Sequence, residues 1–221
     1  MSAALAVLAA AVLTATPARF EGVINMRLTL ESGSGDMVLS LSGDAARLDM
    51  KVSVNPLPEP VVLSILHRAK NPRSVLLIDD RQKAYSEVSL MEAGKLAGGT
   101  EKSKYTVKVL GKGDVLGFAS THVTLSRDKE FVDAWIAVDL KDAFAVLKTL
   151  QEANPQVGEA ALFRALAESG HAGLPMRCTV IREGQRVTTE VVKVERKALA
   201  AALFETPKGY RRMDPGTAGP H

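Results

Sequence analysis

From Phe20 to Leu30 apolar and polar positions alternate. Phe20, Ile24, Met26, Leu28 and Leu30 share one face, and Glu21, Asn25, Arg27, Thr29 and Glu31 the other, the period-two signature of a half-buried strand. Ser32-Gly33-Ser34-Gly35-Asp36 reads as a turn, after which Met37, Leu39 and Leu41 restart the alternation. Past Gly43-Asp44, Leu48, Met50, Val52 and Val54 oppose Arg47, Asp49, Lys51 and Ser53. Three such segments in succession predict an antiparallel meander with one apolar and one wet face. Asn55–Pro60 (NPLPEP) ends it, because proline cannot donate to a central ladder. Val61–His67 and Val75–Ile78 are continuous apolar runs, expected as strands buried on both faces, although periodicity leaves a helix open for the first. Asp79–Gln82 turns the chain into Lys83–Ser89, residues 91–104 read as an exposed loop, and Tyr105–Leu110 as a further strand. Gly111-Lys112-Gly113-Asp114 reads as a turn, since it lacks the spacing of a phosphate loop and no helix follows it.

The second half contains two related segments. Residues 117–141 and 173–197 align without a gap, Gly117 with Gly173, Val138 with Val194 and Lys141 with Lys197. Each reads as a hairpin followed by a helical stretch, a match that any two hairpins of similar length could also give. Between them Leu140, Phe144, Leu147 and Leu150 recur at helical spacing behind Asp139 as N-cap. Asn154-Pro155 opens a second helix with an apolar stripe of Val157, Ala161, Ala165 and Leu166, ended by Gly170. A short helix is expected over Ala198–Phe204, and residues 211–221 should fray. The fold class is therefore mainly β with inserted helices: a curled antiparallel sheet or half-barrel of about eleven strands covered by two principal helices.

The N-terminus bears on the compartment. Ala3–Leu13 is an unbroken apolar run, too short to span a bilayer but suited to the core of a secretory signal, and Thr16-Pro17-Ala18 offers a small-x-small cleavage site. No Lys or Arg precedes the run, so either the signal is atypical or translation starts upstream. The expected division is a signal peptide over 1–18, one β domain over 19–210 and a flexible tail over 211–221. The mature chain is expected to be periplasmic and soluble, without a lipid anchor because its single cysteine, Cys178, lies far from the cleavage region. Twenty-eight basic against 25 acidic residues, spread along the chain, argue against nucleic acid as partner. The locally dense Arg68–Arg73 stretch allows at most peripheral contact with anionic lipid.

Three short motifs carry a family resemblance. They are Val115-Leu116-Gly117-Phe118 with the hairpin ending Asp133-Ala134-Trp135-Ile136-Ala137-Val138-Asp139-Leu140, then Gly173-Leu174-Pro175-Met176, and last Phe204-x-x-Pro207-x-Gly209-Tyr210-x-x-Met213. Together they resemble the bacterial envelope family called domain of unknown function 4412, and the latter two are shared more broadly with LolA/LolB-like lipoprotein carriers. The resemblance implies a half-barrel whose open mouth is plugged or lidded by helices, in relatives that carry lipoproteins, bind lipid or sense envelope stress. Many relatives are lipoproteins or hold a cysteine near the first hairpin strand; here His122 takes that strand and Cys178 its counterpart.

Catalytic chemistry finds little footing. His67, His122, His171 and His221 are scattered without a metal-ligand spacing, Asp79-Asp80 sits in a turn, Cys178 has no activating neighbours in sequence, and no Gly-x-Ser-x-Gly elbow occurs. No enzyme, no metal and no cofactor are expected. The site suggested instead is the concave apolar face: Ile24, Met26, Leu28, Leu39, Leu48, Met50, Val52, Trp135 and Ile136, with Phe20 at its end. Flexible Met and Leu side chains suit a surface that accepts acyl chains, but the same residues would serve as a packed core under the helices. Two functions stay open: a non-enzymatic carrier of a lipid, lipoprotein acyl group or other hydrophobic ligand, and an envelope protein-interaction or stress-sensing module. The partners implied are a lipid or lipoprotein in the first case and an envelope protein in the second.

Overall fold

Alternation becomes sheet as expected, and the strands join in an order that local pattern does not specify. The computed structural model describes residues 19–43, 45–68, 70–90, 105–153 and 160–213. Six strands form the first meander: β1 (Gly22–Leu30), β2 (Gly33–Ser42), β3 (Ala45–Val54), β4 (Val61–Arg68), β5 (Asn71–Asp79) and β6 (Ala84–Ser89). Five form the second: β7 (Thr106–Val115), β8 (Phe118–Arg127), β9 (Glu130–Ala137), β10 (Leu174–Arg182) and β11 (Gln185–Arg196). The first strand pairs antiparallel with β11 as well as β2, which welds the two meanders, with a short last strand β12 (Arg211–Met213), into one sheet ordered β12-β6-β5-β4-β3-β2-β1-β11-β10-β9-β8-β7.

The twelfth strand corrects an expectation. Arg211–Met213 (β12) does not fray but pairs parallel with Ala84–Ser86 of β6. Phe204, in a 3₁₀ turn over Ala201–Phe204 where a short helix was expected, is buried with Leu66, Leu76 and Ile78 on the outer side of the sheet. This explains the continuous apolar runs of β4 and β5. Ile65 and Val75 face the main core while Leu66 and Leu76 face this second cluster, so both sides of the sheet are covered there.

Two glycine-rich stretches read as turns lie inside strands. Gly33–Asp36 belongs to β2, the turn having shrunk to Glu31-Ser32, with Gly35 opposite Leu28 and Val52. A Cβ at Gly35 would stand 2.5 Å from the Lys51 carbonyl oxygen, so glycine here lets two backbones press together where the sheet curls. Gly111–Asp114 likewise continues β7 past a bulge at Leu110, and the turn falls at Leu116-Gly117, both left-handed. Gly113 is covered by the ring of Trp135, whose atom Cζ3 would meet an added Cβ at 2.8 Å. Gly113→Val is therefore expected to displace the chain's single tryptophan from its stack on His122 and shift its emission. An unchanged spectrum in a folded variant would contradict that packing.

The two hairpins of the second half lie side by side, β9 pairing with β10. Their turns close at Arg127/Glu130 and Arg182/Gln185, one residue out of step with the gapless alignment, and a bulge at Val192 of β11 restores the phase.

The helices arise between β9 and β10. A 3₁₀ turn over Val138–Leu140 contains Asp139 and has no side-chain cap; α1 (Lys141–Ala153) follows, with Asp142 in its first turn accepting a 3.2 Å hydrogen bond from the Phe20 backbone N–H. Leu140, Phe144, Leu147 and Leu150 are all buried. The second helix, α2, spans Ala160–Glu168; Asn154, Pro155 and Val157 of the expected start lie outside the described residues. Its inward face is Leu162, Phe163, Ala165 and Leu166, rotated so that Ala161 is only half-buried. Gly170, with positive φ, ends it, and the His171 N–H returns to the Leu166 carbonyl at 2.8 Å. The Phe144 and Phe163 rings lie 5.4 Å apart and hold the helices together. Helix α1 touches β10 on one side and β5 on the other, although β4, β3, β2, β1 and β11 lie between them in the sheet. The sheet therefore curls around the helices as a half-barrel.

Candidate functional site

Each central strand carries its apolar face from a filled end of the half-barrel to an open one. Along β1, Phe20 just before it, Ile24 and Met26 are buried, while Leu28 and Leu30 are half-exposed. Along β3, Leu48 is buried and Met50 and Val52 are half-exposed. The filled end is packed by Phe144 and Leu166, which share one core with Ile24, Leu39 and Ile136, each of these three fully buried.

The open end is a cavity of about 340 Å³. Its sheet wall comes from Met26, Leu28, Leu30, Leu48, Met50 and Val52, with Met37 of β2 between them. The facing hairpin contributes Pro175, Cys178 and Val180 from β10 and Val187 and Thr189 from β11. The helices close it with Leu147, Gln151, Leu162 and Phe163. Apart from the Cys178 thiol, Gln151 and Thr189 are the polar side chains among these.

The structure thus brings five of the expected concave residues to the cavity (Met26, Leu28, Leu48, Met50 and Val52) and puts Ile24, Leu39 and Ile136 in the core beyond it. Trp135 is corrected: consecutive strand residues point to opposite faces, and Ile136 takes the core side. On the outer face Trp135 stacks on His122 (ring centroids 4.4 Å apart), whose Nε2 lies 2.9 Å from Asp133 Oδ2. Sequence reading missed the helix residues and the last hairpin. Cys178/Val180 and Val187/Thr189 carry the same period-two signal as β1, but which parity faces inward depends on the β1–β11 pairing.

A second polar constellation lies at the tip of the two hairpins. Glu130, the first residue of β9, stands directly across from Arg127 on one neighbour and Arg182 on the other. Its carboxylate, 6% exposed, accepts 2.8 and 2.7 Å hydrogen bonds from their guanidinium groups. Tyr105 lies under Arg127 (4.6 Å to the ring centroid), its hydroxyl toward the same carboxylate; burial, then that contact, pushes the phenol far above its ordinary value. Burial alone would raise the Glu130 carboxyl, but the bonds from Arg182 and Arg127, with the Tyr105 hydroxyl turned toward it, outweigh that and hold it below the usual carboxylate range.

The remaining candidate groups have structural partners. Asp79 Oδ1 accepts from the N–H groups of Arg81 and Gln82, and Asp80 from the Tyr210 hydroxyl at 2.7 Å. Arg68 binds Glu87 and Thr206, and Arg212 reaches the same Glu87. His67 Nε2 lies 3.4 Å from the Pro72 carbonyl. Among the described residues no three metal-ligating side chains converge, and no helix is long and apolar enough to cross a membrane. The motif residues also explain themselves. Gly173 approaches the Ala137 carbonyl so closely that a Cβ would stand 2.6 Å from it, and Gly209 has positive φ where the chain turns into β12.

Among curated proteins, none matches the chain. Solved structures that align with it include PNGF-II (14% identity, 87% of this chain and 30% of that one, TM-score 0.37). Others are a lipoprotein-sorting protein domain described as putative and outer-membrane, from Vibrio parahaemolyticus (9%, 83% and 88%, TM-score 0.34), and a DUF1329 family protein from Desulfovibrio piger (9%, 86% and 91%, TM-score 0.25). The chain spans about three tenths of the length of the first. The family model of the domain of unknown function DUF4412 matches residues 20–210, from Phe20 before β1 to Tyr210 before β12, and the chain belongs to that family.

Proposed function

We propose that the protein is a non-catalytic binding protein of the cell envelope that holds the acyl portion of a lipid or lipoprotein in the open end of its half-barrel. The carrying observation is the cavity, walled by Met, Leu and Val and closed by two helices, at the place where the sheet's apolar face is left half-exposed. Burying an alkyl chain there gains about 0.8 kcal/mol per methylene, and unbranched methionines adapt to chains of varied shape. The secretory character of residues 3–18 supports the envelope as its place of work.

Cys178 makes the reading testable, because the chain's single thiol lies on the cavity wall. A fluorescent acyl probe should bind the purified protein and slow alkylation of Cys178 by a maleimide, and solvent extraction of protein from the envelope fraction should release lipid. Lipid-free protein that takes up no probe would overturn the carrier. That outcome would favour the interaction-module reading, for which the exposed apolar residues Leu57, Val61 and Val62 at the NPLPEP connection are the supporting observation.

A further inference from the structure

Building on the carrier reading, we infer that the cavity takes an alkyl chain joined to an uncharged hydrogen-bonding group and excludes free carboxylates. At about 340 Å³ the cavity is near the small end of ligand sites, which run from about 300 to 1,000 Å³. Ile24, Leu39 and Ile136, fully buried beyond the floor, shut its inner end.

Charge sets the head group. No Lys, Arg or His lines the cavity among the described residues. A carboxylate or phosphate drawn in would be desolvated without a counter-ion among the described residues of the wall, at a cost of several kcal/mol. The paired guanidinium groups at the hairpin tip, Arg127 and Arg182, are already committed to Glu130. What the wall does offer is an amide at Gln151 on α1 and a hydroxyl at Thr189 on β11. Within the described residues neither side chain forms a hydrogen bond. Between them they supply donors and acceptors for an ester, amide or hydroxyl group, and nothing that compensates a full charge.

The test is a competition series against the bound fluorescent probe at pH 8, each competitor below its micellar concentration: monolauroylglycerol and laurate. Monolauroylglycerol is expected to displace the probe at least tenfold more effectively than laurate. In the paired variant Gln151→Leu with Thr189→Val the two should compete about equally. Laurate competing as well as monolauroylglycerol against the unaltered protein, or a preference kept in full by the variant, would overturn this assignment and leave the carrier standing, whereas failure of the probe itself to bind removes both.

Discussion

Glu130→Gln is expected to destabilise the fold by about 3 kcal/mol, the lower end of the cost of breaking a buried ion pair, because the arginines it leaves behind are 31% and 43% exposed. The substitution keeps the shape and removes the charge. Two guanidinium groups then converge on an amide that can accept through one atom only, and its NH₂ group faces a second donor. For a domain of this size the loss is roughly 6–12 °C in Tm. Its pH dependence has a definite sign. The folded state holds the Glu130 carboxyl below its ordinary value of 4.5, so the unfolded chain binds the proton first as the solution is acidified. The contribution is therefore complete above the ordinary value and fades as pH falls through the lower folded one. Urea unfolding at pH 7 and pH 3 should show wild type and variant far apart at the first and closer at the second. Equal gaps at both would mean that the charge is not what the tip of the hairpins relies on.

Thr189→Trp is expected to cut acyl-probe affinity at least a hundredfold, about 2.7 kcal/mol, with stability changed by no more than about 1 kcal/mol. Thr189 stands on β11 between Leu28 and Cys178 and is half-exposed at the cavity wall. An indole there projects into space that is already open, so it takes volume from the ligand rather than from the core. Probe titration and urea midpoints measured on one preparation separate the two effects. Unaltered affinity would place the ligand elsewhere.

What could be read from the chain and what could not divides on physical grounds. The faces of β1 and β3 follow from alternation alone, because each strand buries one side against the same core. Gly33–Asp36 and Gly111–Asp114 were misread as turns because glycine permits a turn and also permits the close backbone approach that a tightly curled sheet needs, and the residues are the same in both cases. Arg211–Met213 gives no signal because its pairing depends on the docking of Phe204 and Tyr210, not on its own pattern. The cavity was legible on its first wall and illegible on its second. Met26, Leu28, Leu48, Met50 and Val52 declared themselves by period, whereas Cys178, Val180, Val187 and Thr189 acquire a direction only through a contact spanning most of the chain. Trp135 was misplaced by reading a motif as a face; its neighbour Ile136 holds the inward position.

The seam between β1 and β11 also sets a timetable. A chain emerging N-terminus first has β1 to β6 available long before residue 185 appears, and throughout that interval β1 presents an unpaired edge to whatever is nearby. The last large piece of the sheet to arrive is also the piece that joins its two meanders, so that pairing must overcome the loop entropy of nearly the whole chain. Newly made protein is thus most exposed to wrong pairing late in synthesis, and it becomes safe in a single event when β11 docks.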